Sequence, residues 1–202
     1  MGYSKGTAMS SQETKAIARE FKTQLKILGG FVAVFWILEI IDIVVLQRSL
    51  DIFGIIPRNV IGLRGILFAP FLHASFAHLI ANTVPFVTLG WLVMLRETKD
   101  FFIVTIISAI VGGLGVWLFG ASGVHIGVSG VVFGYLGFLL LRGYFERNFS
   151  SILLSLVVGV FYGGLIWGVL PLQRGISWEG HLCGFLGGVL AARLLSRPKR
   201  QL

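Results

Sequence analysis

Gly127-Val128-Ser129-Gly130-Val131-Val132-Phe133-Gly134-Tyr135-Leu136-Gly137-Phe138-Leu139-Leu140-Leu141 is the stretch that decides the fold. It carries no charge, ends at Arg142, and is too continuous in its apolar character to be a half-exposed strand. Gly130, Gly134 and Gly137 recur at helical spacing, the pattern that lets helices in a membrane approach closely. From Ser129 to Leu141 a helix covers only ~20 Å, against ~30 Å of hydrocarbon. With the inner end fixed near Arg142, Ser129 is expected several ångströms below the surface, under a water-filled depression.

The rest of the chain extends this reading. Of 202 residues, 55% are hydrophobic and 13% charged, and the mean hydropathy is +0.87. A soluble domain of this length has no room to hide that much apolar surface. The expected fold class is all-α: a polytopic membrane protein with six spans at about 27–46, 76–95, 101–119, 128–141, 152–170 and 180–195. Residues 1–26 form a polar N-terminal tail able to begin a helix that runs into the first span, and 196–202 form a C-terminal tail. No cleavable leader is expected. The 27 glycines are scattered through the apolar runs, as in close-packed spans and unlike a linker. One cysteine, Cys183, excludes an intramolecular disulfide.

The net charge of +8 does not point to nucleic acid, because Lys and Arg flank the apolar segments instead of forming a patch. Six crossings put thirteen of the seventeen on the side of the two termini and leave Arg48, Arg58, Arg64 and Arg174 opposite. Both termini are therefore expected in the cytoplasm, with the lipid bilayer as the obligate partner. The segment 47–75 is long and largely apolar but broken by Pro57, Gly62, Gly65 and Pro70, which reads as partly embedded structure on the outer side. The loop 120–126 is uncharged, short and expected to be flexible.

Four polar residues carry the functional argument. Ser129, His181, His78 and Asn82 all fall at the outer ends of the fourth, sixth and second spans. Polar groups cost free energy in lipid and mark functional sites by default. A serine hydroxyl is a weak nucleophile unless an imidazole takes its proton, and His181 is the candidate base. His78 and Asn82 lie ~40° apart on one helical face, and both can donate hydrogen bonds to an oxyanion. No carboxylate pairs with His181: Glu179 is expected elsewhere on the helix near the surface, so a Ser–His dyad is expected instead of a triad. Each residue also has a plain reading. A serine between glycines packs or bonds its own backbone, an asparagine bridges helices, and a histidine bonds a neighbouring span. His73 is expected at the interface, and His125 is expected to have no role in the reaction. Glu39 and Asp42 are expected to face a wet interface at the outer half of the first span.

The chain resembles the rhomboid intramembrane serine proteases over nearly all of 27–195. His73-Ala-Ser-Phe-Ala-His78-Leu-Ile-Ala-Asn82 resembles the family's His-x4-His-x3-Asn pattern. Gly127-Val128-Ser129-Gly130 resembles its Gly-x-Ser-Gly motif, and the run from Gly180-His181 through Gly184 to Gly188 its His-x2-Gly-x3-Gly pattern. The resemblance implies Ser129 as nucleophile, His181 as base, His78 and Asn82 as oxyanion stabilisers, and transmembrane proteins as substrates. Two positions depart from it. Leu63-Arg64 stands where Trp-Arg is frequent, and Phe133 where a Tyr often packs on the histidine.

Other classes fit less well. A metalloprotease wants a ligand cluster such as His-Glu-x-x-His, which is absent, and His73 and His78 on one helix would lie ~140° apart. An α/β-hydrolase elbow needs glycine two residues after the serine, where Val131 stands. Cys183 points nearly opposite His181. A small transporter would show paired charges or repeat symmetry at mid-membrane. The serious alternative is a catalytically silent protein of the same fold that binds membrane-protein clients. The sequence therefore leads to a serine-type endopeptidase needing no metal and no organic cofactor, in a prokaryotic plasma membrane, with no nucleic-acid partner.

Overall fold

The computed structural model of the protein describes residues 11–172 and 175–196. Lys5, Arg174, Arg197, Lys199 and Arg200, which enter the charge count, and most of the C-terminal tail lie outside the described residues. Among the described residues there is no strand, only an isolated antiparallel bridge between Ile55 and His125. The elements are α1 (Ser11–Val44), the short α2 (Gly65–Phe68), α3 (Phe76–Met94), α4 (Thr98–Phe119), α5 (Ser129–Glu146), α6 (Phe149–Tyr162) and α7 (Trp178–Leu195). A 3-10 stretch, Gly163–Val169, continues α6.

Long helices thus occupy all six apolar segments. Those at 12–44, 76–94, 98–119 and 149–169 are long and apolar enough to cross a membrane, so the protein is an all-helical polytopic membrane protein. Of the two that are less apolar, α5 and α7, the first is sheltered by protein and the second keeps an exposed row, Leu186, Leu190 and Leu194. α5 packs against α3, α4, α6 and α7, and every residue from Val131 to Leu139 is buried. A helix enclosed in this way does not need a lipid-soluble face. α1 has 34 residues, ~51 Å of helix, so it projects well beyond the hydrocarbon at one end.

The α5–α7 seam shows why small residues were needed. A Cβ on Gly184 would overlap the Gly130 carbonyl oxygen, and one on Gly188 would overlap the Gly134 carbonyl oxygen. The Gly180/Gly184/Gly188 ladder is a backbone-to-backbone contact, and it fixes the depth of His181 against Ser129.

The end of the bundle away from Ser129 is closed by a buried ionic network. Arg96 binds Asp100 (2.9 Å), Glu146 (2.8 Å) and the Leu195 carbonyl (2.8 Å). Glu146 also accepts from Arg142, Asn148 and Ser151. α5 runs on to Glu146, past the expected boundary at Leu141, because Arg142 and Glu146 neutralise each other inside protein. At the opposite end the 47–75 segment folds into 3-10 turns whose carbonyls are met by arginines: Arg48 on Ala74 and Arg64 on Ile52. Arg58 caps the end of α4 through Leu118 and Gly120.

Four expectations are corrected here. Glu39 and Asp42 do not face water; they are 2% and 3% exposed, because the first loop folds over them. Asp42 serves that loop, accepting from the Leu50 N–H at 2.9 Å. His73 is not interfacial but 1% exposed; it precedes α3 instead of lying on it, and its ring is 5.3 Å from that of His78. The 120–126 loop is pinned, with Ile55 and His125 exchanging two backbone hydrogen bonds of 2.9 Å. Glu179 is buried, not near the surface, and sits in the first turn of α7 at the positive end of the helix dipole.

Candidate active site

α5 begins at Ser129, so its first N–H groups point out of the helix end with no carbonyl of their own turn to meet. The chain reaches that point through Gly127, at φ +121°, a conformation that disfavours side chains. Space also demands glycine there: a Cβ would lie 2.7 Å from the His78 ring. His78 is therefore packed directly on the turn that delivers Ser129. Its backbone N–H is held by the Ser75 cap (3.1 Å), and its Nδ1 accepts a long 3.5 Å bond from the Ala74 N–H. An Nδ1 that accepts leaves the ring proton on Nε2, the donor side.

His181 Nε2 lies 2.9 Å from Ser129 Oγ. Its other nitrogen, Nδ1, lies 2.9 Å from the Gly168 carbonyl oxygen. A carbonyl can only accept, so Nδ1 carries the proton and the bare Nε2 faces the hydroxyl. The ring is further held by Phe133, stacked at 4.1 Å and 11°. Phenylalanine therefore supplies the packing at this position without a hydroxyl. The partner of Nδ1 is backbone; Glu179, although buried, is bonded by Ser177 at 3.4 Å.

Ser129 and His181 line a cavity of about 60 Å³ with His125, Ser108, Ser177 and Gly127. It has room and polar partners for ordered water. Asn82 is buried, and its Nδ2 has no hydrogen-bond partner among the described residues. Of the four residues singled out by sequence, Ser129 and His181 are bonded to each other and His78 abuts their turn. Asn82 lies one helical turn further along α3, with no bond to Ser129. Cys183 packs on Gly115 of α4, away from the serine. Among the described residues no group of three side chains is arranged to hold a metal ion.

Sequence reasoning missed Gly168. A Cβ there would lie 2.6 Å from Phe133 and 3.4 Å from His181 Nδ1, so the site needs its carbonyl and the absence of its side chain together. The only signal was a glycine in an apolar run, indistinguishable from Gly163 or Gly164, around which space is open.

The rhomboid domain matches residues 62–198. The chain belongs to the rhomboid family. This rhomboid is 46% identical over 189 residues to an uncharacterized protein of Mycobacterium tuberculosis, covering 87% of the chain and 78% of that relative. An uncharacterized protein of Mycobacterium leprae is 44% identical, covering 85% and 71%. The rhomboid protease GluP of Bacillus subtilis is 28% identical over 63% of this rhomboid, which spans a quarter of GluP. The matched segment takes in His73, His78, Asn82, Ser129, Gly168 and His181.

Proposed function

We propose that this rhomboid is a serine endopeptidase that cleaves transmembrane proteins within the bilayer. The observation that carries the reading is the bare His181 Nε2 set 2.9 Å from Ser129 Oγ. Ser129 Oγ attacks the peptide carbonyl carbon while its proton passes to Nε2. The tetrahedral oxyanion is met by the Ser129 N–H at the head of α5, by Nε2–H of His78 and by the Asn82 amide. Collapse breaks the C–N bond, His181 returns its proton to the leaving amine, and Ser129 keeps the acyl group as an ester. Water from the adjoining cavity, deprotonated by His181, then releases the acid and restores the hydroxyl. The reading includes six crossings with both termini in the cytoplasm and this chemistry on the extracytoplasmic side of a prokaryotic plasma membrane; the Lys/Arg asymmetry and the bacterial relatives support it.

The test is fluorophosphonate labelling of the folded protein in detergent. Wild type is expected to label, with labelling lost in both Ser129→Ala and His181→Ala. A folded wild type that stays unlabelled, with the cavity open to the reagent, would replace this reading with the client-binding one.

A further inference from the structure

Beside the serine cavity lies a much larger, half-open crevice of about 520 Å³, walled by α1, the 63–71 segment, Phe86 of α3, α4 and the first turn of α5. The two share Ile66, Pro70, Ala109 and Val131 as a common wall. The larger void is of the size of a ligand pocket, not of a packing defect. Its lining is aromatic and aliphatic except for Thr105 and Arg64. The Thr105 hydroxyl is already engaged, with the Phe101 carbonyl at 2.6 Å and Tyr135 OH at 2.6 Å. A peptide laid in this crevice would find, Arg64 at the mouth apart, nothing to bond its N–H and C=O groups, which are costly to leave unpaired in hydrocarbon. A hydrocarbon chain carries no such groups.

The charge at the mouth identifies what the chain is attached to. Arg64 is exposed, has no carboxylate partner among the described residues, and is held from behind. One guanidinium nitrogen donates to the Ile52 carbonyl at 3.0 Å, and its carbon lies 4.7 Å over the Phe53 ring. Its remaining N–H groups are free for an anion. We propose that this crevice seats one acyl chain of a phospholipid from the leaflet at the Ser129 end, with the phosphate on Arg64. The chain lies against Val128 and Val131, which flank Ser129, so lipid forms part of the packing around the head of α5. This inference concerns binding and stands apart from the catalytic assignment.

The experiment is photo-crosslinking in phosphatidylcholine vesicles doped with a phosphatidylglycerol that carries a diazirine on its acyl chain, with adducts mapped by mass spectrometry. Labelling is expected to concentrate on residues 31–35 and 102–110, above the level on residues 153–161, an exposed lipid-facing stretch outside the crevice. Ala109→Trp, which fills the crevice, and Ile106→Trp at its exposed rim should each bring labelling at 31–35 down to the 153–161 level. Arg64→Gln should reduce it, and Ser129→Ala should leave it unchanged. Equal labelling of all three segments, or a pattern that survives both tryptophan variants, would overturn the proposal.

Discussion

Gly184 lies so close to Gly130 that a single carbon added to it would overlap the Gly130 carbonyl oxygen. Gly130 follows Ser129 and Gly184 lies one turn beyond His181, so this contact sets the distance between the two hydrogen-bonded side chains. Gly184→Ala must push α5 and α7 apart. Overpacking of this kind costs about 1–3 kcal/mol, and here it also lengthens the Ser129–His181 bond. Thermal unfolding in detergent should show the loss of stability and fluorophosphonate labelling the loss of reactivity. Gly29→Ala, where nothing lies within 4 Å of the added carbon, should be neutral or gain about 0.5–1 kcal/mol. Equal behaviour of the two variants would exclude the seam as the cause.

Asn82→Ala separates an oxyanion role from helix bridging. Its Nδ2 has no partner among the described residues, so truncation removes little that holds the fold. The expected outcome is a fall in kcat of about 10²–10³ with the unfolding temperature nearly unchanged. A variant that loses stability and activity in parallel would mark Asn82 as a packing residue.

Gly168→Ala should displace Phe133 and the imidazole together, since its Cβ would lie 2.6 Å from the phenyl ring. A misplacement of about 1 Å at a reacting group can cost about 10²-fold in rate. Adding Phe133→Leu in the same chain makes room for the methyl group, and part of the activity should return. No recovery would mean that the Gly168 carbonyl, not ring crowding, governs the effect.

His73 gives a signed pH prediction. Burial, reinforced by the neighbouring His78 imidazole, pushes it from 6.5 down to about 3. The unfolded chain therefore binds a proton that the folded chain refuses, and stability is complete above pH 6.5 and declines as pH falls toward about 3. Near pH 5 the loss amounts to about 2 kcal/mol. His73→Phe keeps a ring beside Phe35 and removes two nitrogens that have no partner among the described residues. The variant should be at least as stable as wild type at neutral pH, with its advantage growing in acid. A constant difference across that range would show that His73 is not the titrating group.

Arg96 ties α4, α5 and the end of α7 to the α3–α4 connection through buried carboxylates. Arg96→Gln leaves Glu146 and Asp100 short of compensating charge and should cost about 3–5 kcal/mol. Lys99→Ala breaks an exposed pair with Glu97 and should cost about 0–1 kcal/mol. Unfolding titrations of both variants in one detergent provide the comparison.

The helices, the glycine seam and the Ser129–His181 pair were legible because each is carried by side-chain type and spacing. An apolar run, a small residue every fourth position and a hydroxyl or imidazole in lipid are local signals. What escaped depends on how distant segments close on one another. Glu39 and Asp42 look like surface residues until the 47–75 loop folds over them, and His73 does so until that loop packs against Phe35 of α1. Arg142 and Glu146 look like a helix end until they are seen to neutralise each other beside Arg96. Gly168 escaped for another reason: what it contributes is a carbonyl, and every residue has one.

That last point reaches beyond this fold. The group that orients the His181 imidazole belongs to the main chain, so no side-chain deletion can remove it. Alanine at 168 disturbs the imidazole through the crowding of its methyl group, while the carbonyl itself stays in the chain whichever residue stands there. An edit to the backbone itself, such as an ester in place of the peptide link at 168–169, weakens the acceptor without adding bulk and so separates the two effects.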